Sequence, residues 1–161
     1  MSSKQSEFYN SLNKQLAGLL SVERHWLTNI SQFSAFLNTS LDDINWVGFY
    51  LSQANGELLL GPFQGQVACV KIELGKGVCG TAAKTKSVQL VEDVDQFSGH
   101  IACDARSRSE IVLPILLDGQ CFGVLDIDSP SLARFNQVDA DGLAILLETL
   151  INSSDWPLIK N

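Results

Sequence analysis

The sequence lacks a hydrophobic run that approaches the ~18 residues needed by a membrane-spanning helix. Its first seven residues, Met1 to Glu7, also lack the apolar core of a secretory signal peptide. We therefore expect a cytoplasmic protein, in a compartment where thiols are kept reduced. Static structural disulfides are not expected there.

Basic residues and metal ligands are scarce as well. The chain has 11 Lys and Arg against 18 Asp and Glu, and its net charge of -7 argues against a nucleic-acid partner. It has two histidines, and its four cysteines include no Cys-x-x-Cys pair, so a zinc site is not predicted. The cysteines, which are Cys69, Cys79, Cys103 and Cys121, are therefore either core thiols or redox thiols that meet only in the fold.

The composition is typical of a globular domain. The chain has 161 residues, of which 45% are hydrophobic and 18% are charged, so it can bury a sizeable core. We predict a single domain over residues 1–161, without internal repeats or low-complexity linkers.

Apolar residues spaced by three and four predict helices near both ends of the chain. Ser21 is the predicted N-cap of the second helix, which places Val22 on its apolar face. Asn136 is the predicted N-cap of the last helix. His25 is interpreted as a surface or core residue rather than a ligand. The predicted helices cover residues 4–19, 22–37 and 137–151.

Alternating apolar residues predict strands between these helices. Asn55 and Gly56 are predicted to form a two-residue hairpin turn, because both central positions of such a turn need positive φ. Trp46 and Tyr50 share one strand face, either as a half-buried aromatic pair or as the apolar wall of a pocket. The predicted strands cover residues 45–51, 57–63, 67–74, 88–91, 110–117 and 120–128.

The clearest hairpin turns at residues 118–119, an Asp-Gly pair. Strict alternation along its second strand places Phe122, Asp126 and Asp128 on one face and Cys121 on the other. Two acids at the end of an otherwise apolar face suggest a functional group. A solvated strand end is the alternative.

Residues 75–83 are rich in glycine and lead into a short predicted helix. The spacing of a phosphate-binding loop is absent, so the glycines are interpreted as permitting a tight strand-to-helix turn. Cys79 lies near the helix N-terminus, where we expect its thiolate to be favoured.

Residues 93–109 form a long predicted loop, and such loops inside compact domains are usually functional. Cys103 lies in it, with His100, Asp104 and Glu110 close in sequence. Polar and basic neighbours can activate a thiol as a nucleophile. A buried structural cysteine is an equally good interpretation of this loop alone.

The predicted order is two helices, three strands, a short helix, three strands and a helix, which favours an antiparallel α+β fold in layers. A family resemblance is carried by seven segments of the chain, which are residues 45–50, 61–65, 68–69, 75–83, 99–104, 109–110 and 123–129. Together these segments resemble the free methionine-(R)-sulfoxide reductases, which are GAF-domain enzymes. This resemblance implies a six-stranded antiparallel sheet, with N- and C-terminal helices on one face and a loop-covered ligand pocket on the other. It also implies a homodimer and a thioredoxin-type reductant.

The resemblance also implies roles for three cysteines. Cys103 matches the catalytic cysteine, Cys69 the resolving cysteine and Cys79 an auxiliary one. Two positions depart from the family pattern. Ser98 replaces an expected proline. Cys121 lies outside the redox set and is interpreted as a residue of core or sheet packing.

The remaining site residues are likewise implied by the resemblance. Glu110, Asp126 and Asp128 match the acidic cluster that holds the substrate, and Trp46 and Tyr50 match the aromatic wall around its methyl end. Clustered carboxylates raise one another's pKa, so one of them could protonate a sulfoxide oxygen while the others bind the ammonium of a free amino acid.

The chemistry that follows needs no metal or organic cofactor. The Cys103 thiolate attacks sulfur, methionine leaves, and the resulting sulfenic acid becomes a disulfide that thioredoxin reduces. The alternative is a non-catalytic GAF small-molecule sensor with the same pocket. Such a sensor would not need three cysteines together and is usually attached to an output domain.

Overall fold

The structure is a computed structural model that describes residues 3–100 and 105–157. Within these residues it contains four helices and six strands in the order predicted from the sequence. A short 3₁₀ helix, Val94–Gln96, follows the fourth strand. The helices are α1 (Ser3–Leu20), α2 (Trp26–Ser40), α3 (Gly77–Thr85) and α4 (Gln137–Asn152). The strands are β1 (Trp46–Ser52), β2 (Leu58–Gln64), β3 (Lys71–Ile72), β4 (Gln89–Val91), β5 (Ser109–Leu117) and β6 (Gln120–Ser129).

The six strands form one antiparallel sheet in the order β3-β2-β1-β6-β5-β4. Helices α1, α2 and α4 cover one face, where Phe33 meets Phe49 edge to face at 5.6 Å between ring centroids. Helix α3 lies on the opposite face, beside the buried side chains of Val112 and Val124. This is the predicted α+β architecture, with two separate apolar cores. Within the described ranges, no helix is both long and apolar enough to span a membrane.

The ends of two helices test the predicted caps. The prediction of Ser21 as the N-cap of the second helix is wrong, because α2 begins at Trp26 and His25 is its cap. The Nδ1 atom of exposed His25 accepts a hydrogen bond from the backbone N–H of Leu27 at 3.2 Å. Ser21 instead donates to the Gly18 carbonyl at 2.7 Å, which closes the end of α1. Val22 is therefore outside the helix and 84% exposed, contrary to prediction.

The two hairpin turns differ. Asp118 and Gly119 both have positive φ, of 50° and 80°, as predicted for an Asp-Gly turn. At the first hairpin only Gly56 has positive φ, so the prediction for Asn55 is wrong. Asn55 instead accepts a hydrogen bond through its side-chain oxygen from the Glu57 backbone N–H at 3.0 Å.

Two strands also depart from prediction. The strand predicted over residues 67–74 contracts to Lys71–Ile72. In β6 the register shifts, since Leu116 lies opposite Cys121 whereas Ile115 lies opposite Gly123. The resulting bulge places Phe122 in the helix-side core and Cys121 against the pocket-side core, which reverses the predicted faces of these two residues.

The helical layer joins distant parts of the chain. Tyr9 in α1 donates a hydrogen bond from its hydroxyl to Asp139 in α4 at 2.6 Å. Asp139 also completes the capping box of α4 with Asn136, which confirms the predicted cap. Near the other end of α4, buried Asn29 donates through its side-chain nitrogen to the Ser153 carbonyl at 3.2 Å.

Candidate functional site

A pocket with about 500 Å³ of empty space, part of it open to solvent, lies on the sheet face that carries α3. Six of the eight site residues predicted from the sequence line it, namely Trp46, Tyr50, Cys79, Glu110, Asp126 and Asp128. Its other lining residues are Ala68, Ile72, Lys76, Gly77, Val78, His100 and Ser107. Cys69 is half-buried against the apolar core on this side of the sheet. Cys103 lies outside the described residues.

The three acids meet because β5 and β6 pair side by side. Glu110 lies opposite Asp128, and Val112 opposite Asp126, so the three carboxyls emerge on one face. Their exposed fractions are only 5–8%, which excludes the alternative of a solvated strand end. Side-chain hydrogen bonds link Glu110 to both aspartates. The Oδ1 atom of Asp126 is buried and has no hydrogen-bond partner among the described residues, so an oxygen of the cluster is left for a ligand.

Burial shapes the protonation of this cluster. It raises the pKa of Glu110 well above its usual range, and the charges of Asp126 and Asp128 raise it further. Burial also raises the pKa of Asp126, although hydrogen bonds from Glu110 and Cys79 oppose the rise. The pocket can therefore retain a carboxylic acid proton at a pH where exposed carboxyls are ionised.

Cys79 lies in the first turn of α3 and is 5% exposed. Burial raises the pKa of its thiol well above the usual range, and the charges of Asp126 and Glu110 add to the rise. The prediction that the helix N-terminus favours its thiolate is therefore wrong. A helix N-terminus stabilises a negative charge by about 0.3–1 kcal/mol near the surface, which is less than the cost of burying a thiolate among carboxyls.

Cys79 also belongs to a set of possible metal ligands. Its sulfur and one carboxylate oxygen each from Glu110 and Asp126 lie within 4.8 Å of one another. This set was not predicted from the sequence, because its members do not have the close, paired spacing of metal ligands. Because burial raises the pKa of all three groups, their protonated forms are favoured, and a metal ion would have to displace those protons in order to bind.

An aromatic wall faces the acids. Trp46 stacks on Tyr50 at 5.9 Å between ring centroids and on Phe63 at 5.2 Å. Trp46 and Tyr50 are each 2% exposed and both line the pocket, so they form its apolar wall rather than a half-buried pair. Sequence reasoning missed Phe63, Lys76 and Ser107. Only Phe63 had a signal in the sequence, which was its place at the end of a predicted strand.

The three cysteines within the described residues differ in state. Cys69 is disulfide-bonded, whereas Cys79 and Cys121 are free thiols. This favours redox thiols over four core thiols. Cys121 is half-buried, and its sulfur contacts the Gly123 carbonyl at 3.3 Å, in agreement with the predicted role in sheet packing. The Cys69 carbonyl accepts a hydrogen bond from the hydroxyl of Tyr50 at 2.9 Å, which connects the disulfide-bearing segment to the aromatic wall.

Known proteins resemble this chain over nearly its whole length. A GAF domain family matches residues 33–150. The free methionine-R-sulfoxide reductase of Escherichia coli (strain K12) is 49% identical over 154 residues, which cover 94% of this chain and 93% of that protein. The structure of fRMsr of Staphylococcus aureus in complex with substrate is 51% identical with a TM-score of 0.85, covering 90% of this chain and 94% of that one. The free methionine-R-sulfoxide reductase of Neisseria meningitidis in complex with its substrate is 40% identical with a TM-score of 0.89, covering 95% and 92%.

Proposed function

This chain belongs to the free methionine-R-sulfoxide reductases of the GAF domain family, and on that premise we propose that it reduces free L-methionine (R)-sulfoxide to L-methionine. The observation that carries the proposal is the pocket itself. It sets a buried, proton-retaining acid cluster against a stacked aromatic wall. A free amino acid with an oxidised thioether offers a matching cation, sulfoxide oxygen and methyl group.

The acids act on the two polar ends of this substrate. The unpartnered Oδ1 of Asp126 accepts a hydrogen bond from the substrate ammonium, and Asp128 shares that charge. Glu110, whose raised pKa favours its protonated form, donates to the sulfoxide oxygen and makes the sulfur electrophilic. Trp46 and Tyr50 surround the methyl end, where an apolar wall excludes water.

The two electrons that reduce the sulfoxide come from cysteine thiols. The Cys103 thiolate attacks the sulfoxide sulfur, methionine leaves, and the oxygen stays on Cys103 as a sulfenic acid. Cys69 then forms a disulfide with Cys103 and releases water. The disulfide-bonded state of Cys69 supports its role as the resolving thiol. The buried, protonated thiol of Cys79 suits an auxiliary role, because the thiolate is the attacking form.

The cycle closes with an external dithiol. We assign this step to a thioredoxin-type protein in the cytoplasm, which reduces the disulfide and becomes oxidised in turn. We further propose that the protein is a homodimer and that residues 1–161 form one domain. These assignments rest on the family rather than on a contact in the pocket.

The experiment is an assay of methionine formation from free methionine (R)- and (S)-sulfoxide with a thioredoxin system. We expect reduction of the (R) form with little activity on the (S) form. Binding of the (R) form without formation of methionine would refute the proposal and indicate a sensor.

A further inference from the structure

The segment between β2 and β3, residues 65–70, carries Cys69 and is largely exposed. Val67 and Val70 are 87% and 61% exposed, so the apolar packing of the segment is confined to Ala68 and Cys69, which lie half-buried against the pocket-side core. Two of its backbone carbonyls accept hydrogen bonds from side chains of strand β1. The Tyr50 hydroxyl donates to the Cys69 carbonyl at 2.9 Å, and the indole N–H of Trp46 donates to the Gln66 carbonyl at 3.1 Å. The aromatic wall therefore also anchors this segment.

The two donors are themselves fixed in place. β1 lies between β2 and β6 in the sheet, and the rings of Trp46 and Tyr50 stack at 5.9 Å. Gly65 has φ of +140°, and a Cβ atom built there would lie 2.5 Å from Cδ1 of Trp46. The segment can therefore pass close over the indole ring because this position is a glycine.

The Tyr50 hydroxyl remains a donor over the pH range in which thiols react. Burial holds the pKa of Tyr50 well above its usual range, and the charge of Asp126 acts in the same direction. A tyrosine that stays protonated keeps its contact with the Cys69 carbonyl whether the neighbouring carboxyls are ionised or neutral. The anchor thus does not depend on the ionisation of the acid cluster.

We propose that Tyr50 is a positioning residue for disulfide formation, because its hydroxyl holds the backbone of Cys69, the thiol that the proposed function assigns to the attack on the sulfenic acid. The proposal rests on the proposed function. In this step the Cys69 thiolate attacks the sulfenic sulfur, the S–S bond forms, the S–O bond breaks, and the hydroxyl group takes up one proton and leaves as water. The sulfoxide is the only oxidant needed. The indole N–H of Trp46 holds the same segment through the carbonyl of Gln66, three residues before Cys69.

The test compares wild type with Tyr50→Phe, which keeps the ring of the wall and removes only its hydroxyl. Reduced enzyme is mixed with free methionine (R)-sulfoxide without reductant. Rapid quench follows methionine release, while dimedone trapping and thiol titration follow the sulfenic acid and the disulfide. Loss of one hydrogen bond should slow disulfide formation about 3- to 10-fold relative to methionine release in the same variant, so the trapped sulfenic acid should rise.

Tyr9→Phe is the matched control. It removes a buried tyrosine hydroxyl of similar kind, the donor to Asp139 at 2.6 Å, from the helical layer away from the pocket. This control should keep the wild-type ratio of the two rates. The inference is overturned if Tyr50→Phe slows both steps by the same factor or slows neither, or if Tyr9→Phe changes the ratio equally. If wild type releases no methionine, the proposed function and this inference both fail. If wild type releases methionine and Tyr50→Phe leaves the ratio of the two rates unchanged, this inference alone fails.

Discussion

The ligand-free protein should become more stable as the pH falls from 7 towards 5, because Glu110 and Asp126 have raised pKa values in the folded state. A carboxyl with a raised pKa binds a proton in the folded protein that it has already lost in the unfolded chain. Its stabilising contribution is complete below the unfolded pKa of about 4 and is lost as the pH rises through the folded pKa.

The magnitude follows from proton linkage. A proton retained only by the folded state contributes at most about 1.4 kcal/mol per pH unit, which sets a ceiling of about 2.7 kcal/mol per carboxyl between pH 5 and pH 7. In a chain of 161 residues, each kcal/mol shifts Tm by about 2–4 °C. We therefore expect Tm to be higher at pH 5 than at pH 7, by up to roughly 10 °C for each such carboxyl, measured by calorimetry with excess reductant to keep one redox state.

Glu110→Gln and Asp126→Asn should each flatten this dependence, since an amide has no proton to lose in that range. Glu148→Gln is the control, because Glu148 is an exposed carboxyl on α4. It changes the net charge equally and should keep the wild-type slope. Equal slopes in wild type and both pocket variants, or a wild-type Tm that rises from pH 5 to pH 7, would refute the reasoning.

Four further outcomes are expected. Cys103→Ser should release no methionine, whereas Cys69→Ser should release about one methionine per site without reductant and then stop. Quenched-flow analysis measures this release, and a burst of methionine from Cys103→Ser would refute Cys103 as the attacking thiol. N-acetylation of the sulfoxide should lower kcat/KM by the equivalent of about 2–5 kcal/mol, and equal rates on both substrates would count against the acids as the ammonium site. Among Glu110→Gln, Asp126→Asn and Asp128→Asn, at least one should lower kcat by about 10²–10⁴-fold in steady-state assays, and three unchanged variants would make the cluster structural. Gly142→Ala should lower the free energy of unfolding by about 1–3 kcal/mol, because its Cβ would lie 2.2 Å from the Tyr9 ring. Gly18→Ala in α1 should raise the free energy of unfolding, because a Cβ there has nothing within 4 Å. Denaturant melts that show the same change for both variants would contradict this.

Periodicity and alternation located most of the fold because they report which side of an element is buried. The repeat of Leu12 and Leu16 identified α1, and both side chains are buried. Alternation put Trp46 and Tyr50 on one strand face, and the structure places both in the pocket wall. These patterns depend on the nearest chain neighbours alone, which is why one sequence contains enough information to find them.

The errors came from contacts between distant parts of the chain. Ser21 and His25 can each cap a helix, and the choice depends on residues near the other end of the chain, since Asn29 in α2 is held by Ser153. Cys79 has the local environment of an activated thiol, yet its burial raises the pKa of that thiol and the charges of carboxyls from β5 and β6 add to the rise. The bulge at Phe122 likewise depends on the register of the strand pair, which no local pattern specifies.

The pairing of α1 with α4 has a consequence for the order in which the chain is made. Tyr9 and Asp139 are separated by 130 residues, so at about 5–20 residues per second a ribosome needs on the order of ten seconds to deliver the second partner after the first. During that interval the apolar side of α1, including Leu12 and Leu16, has no α4 to cover it. The nascent chain is therefore exposed to premature association until its last helix emerges, and a chaperone that shields its first twenty residues should raise the yield of folded protein.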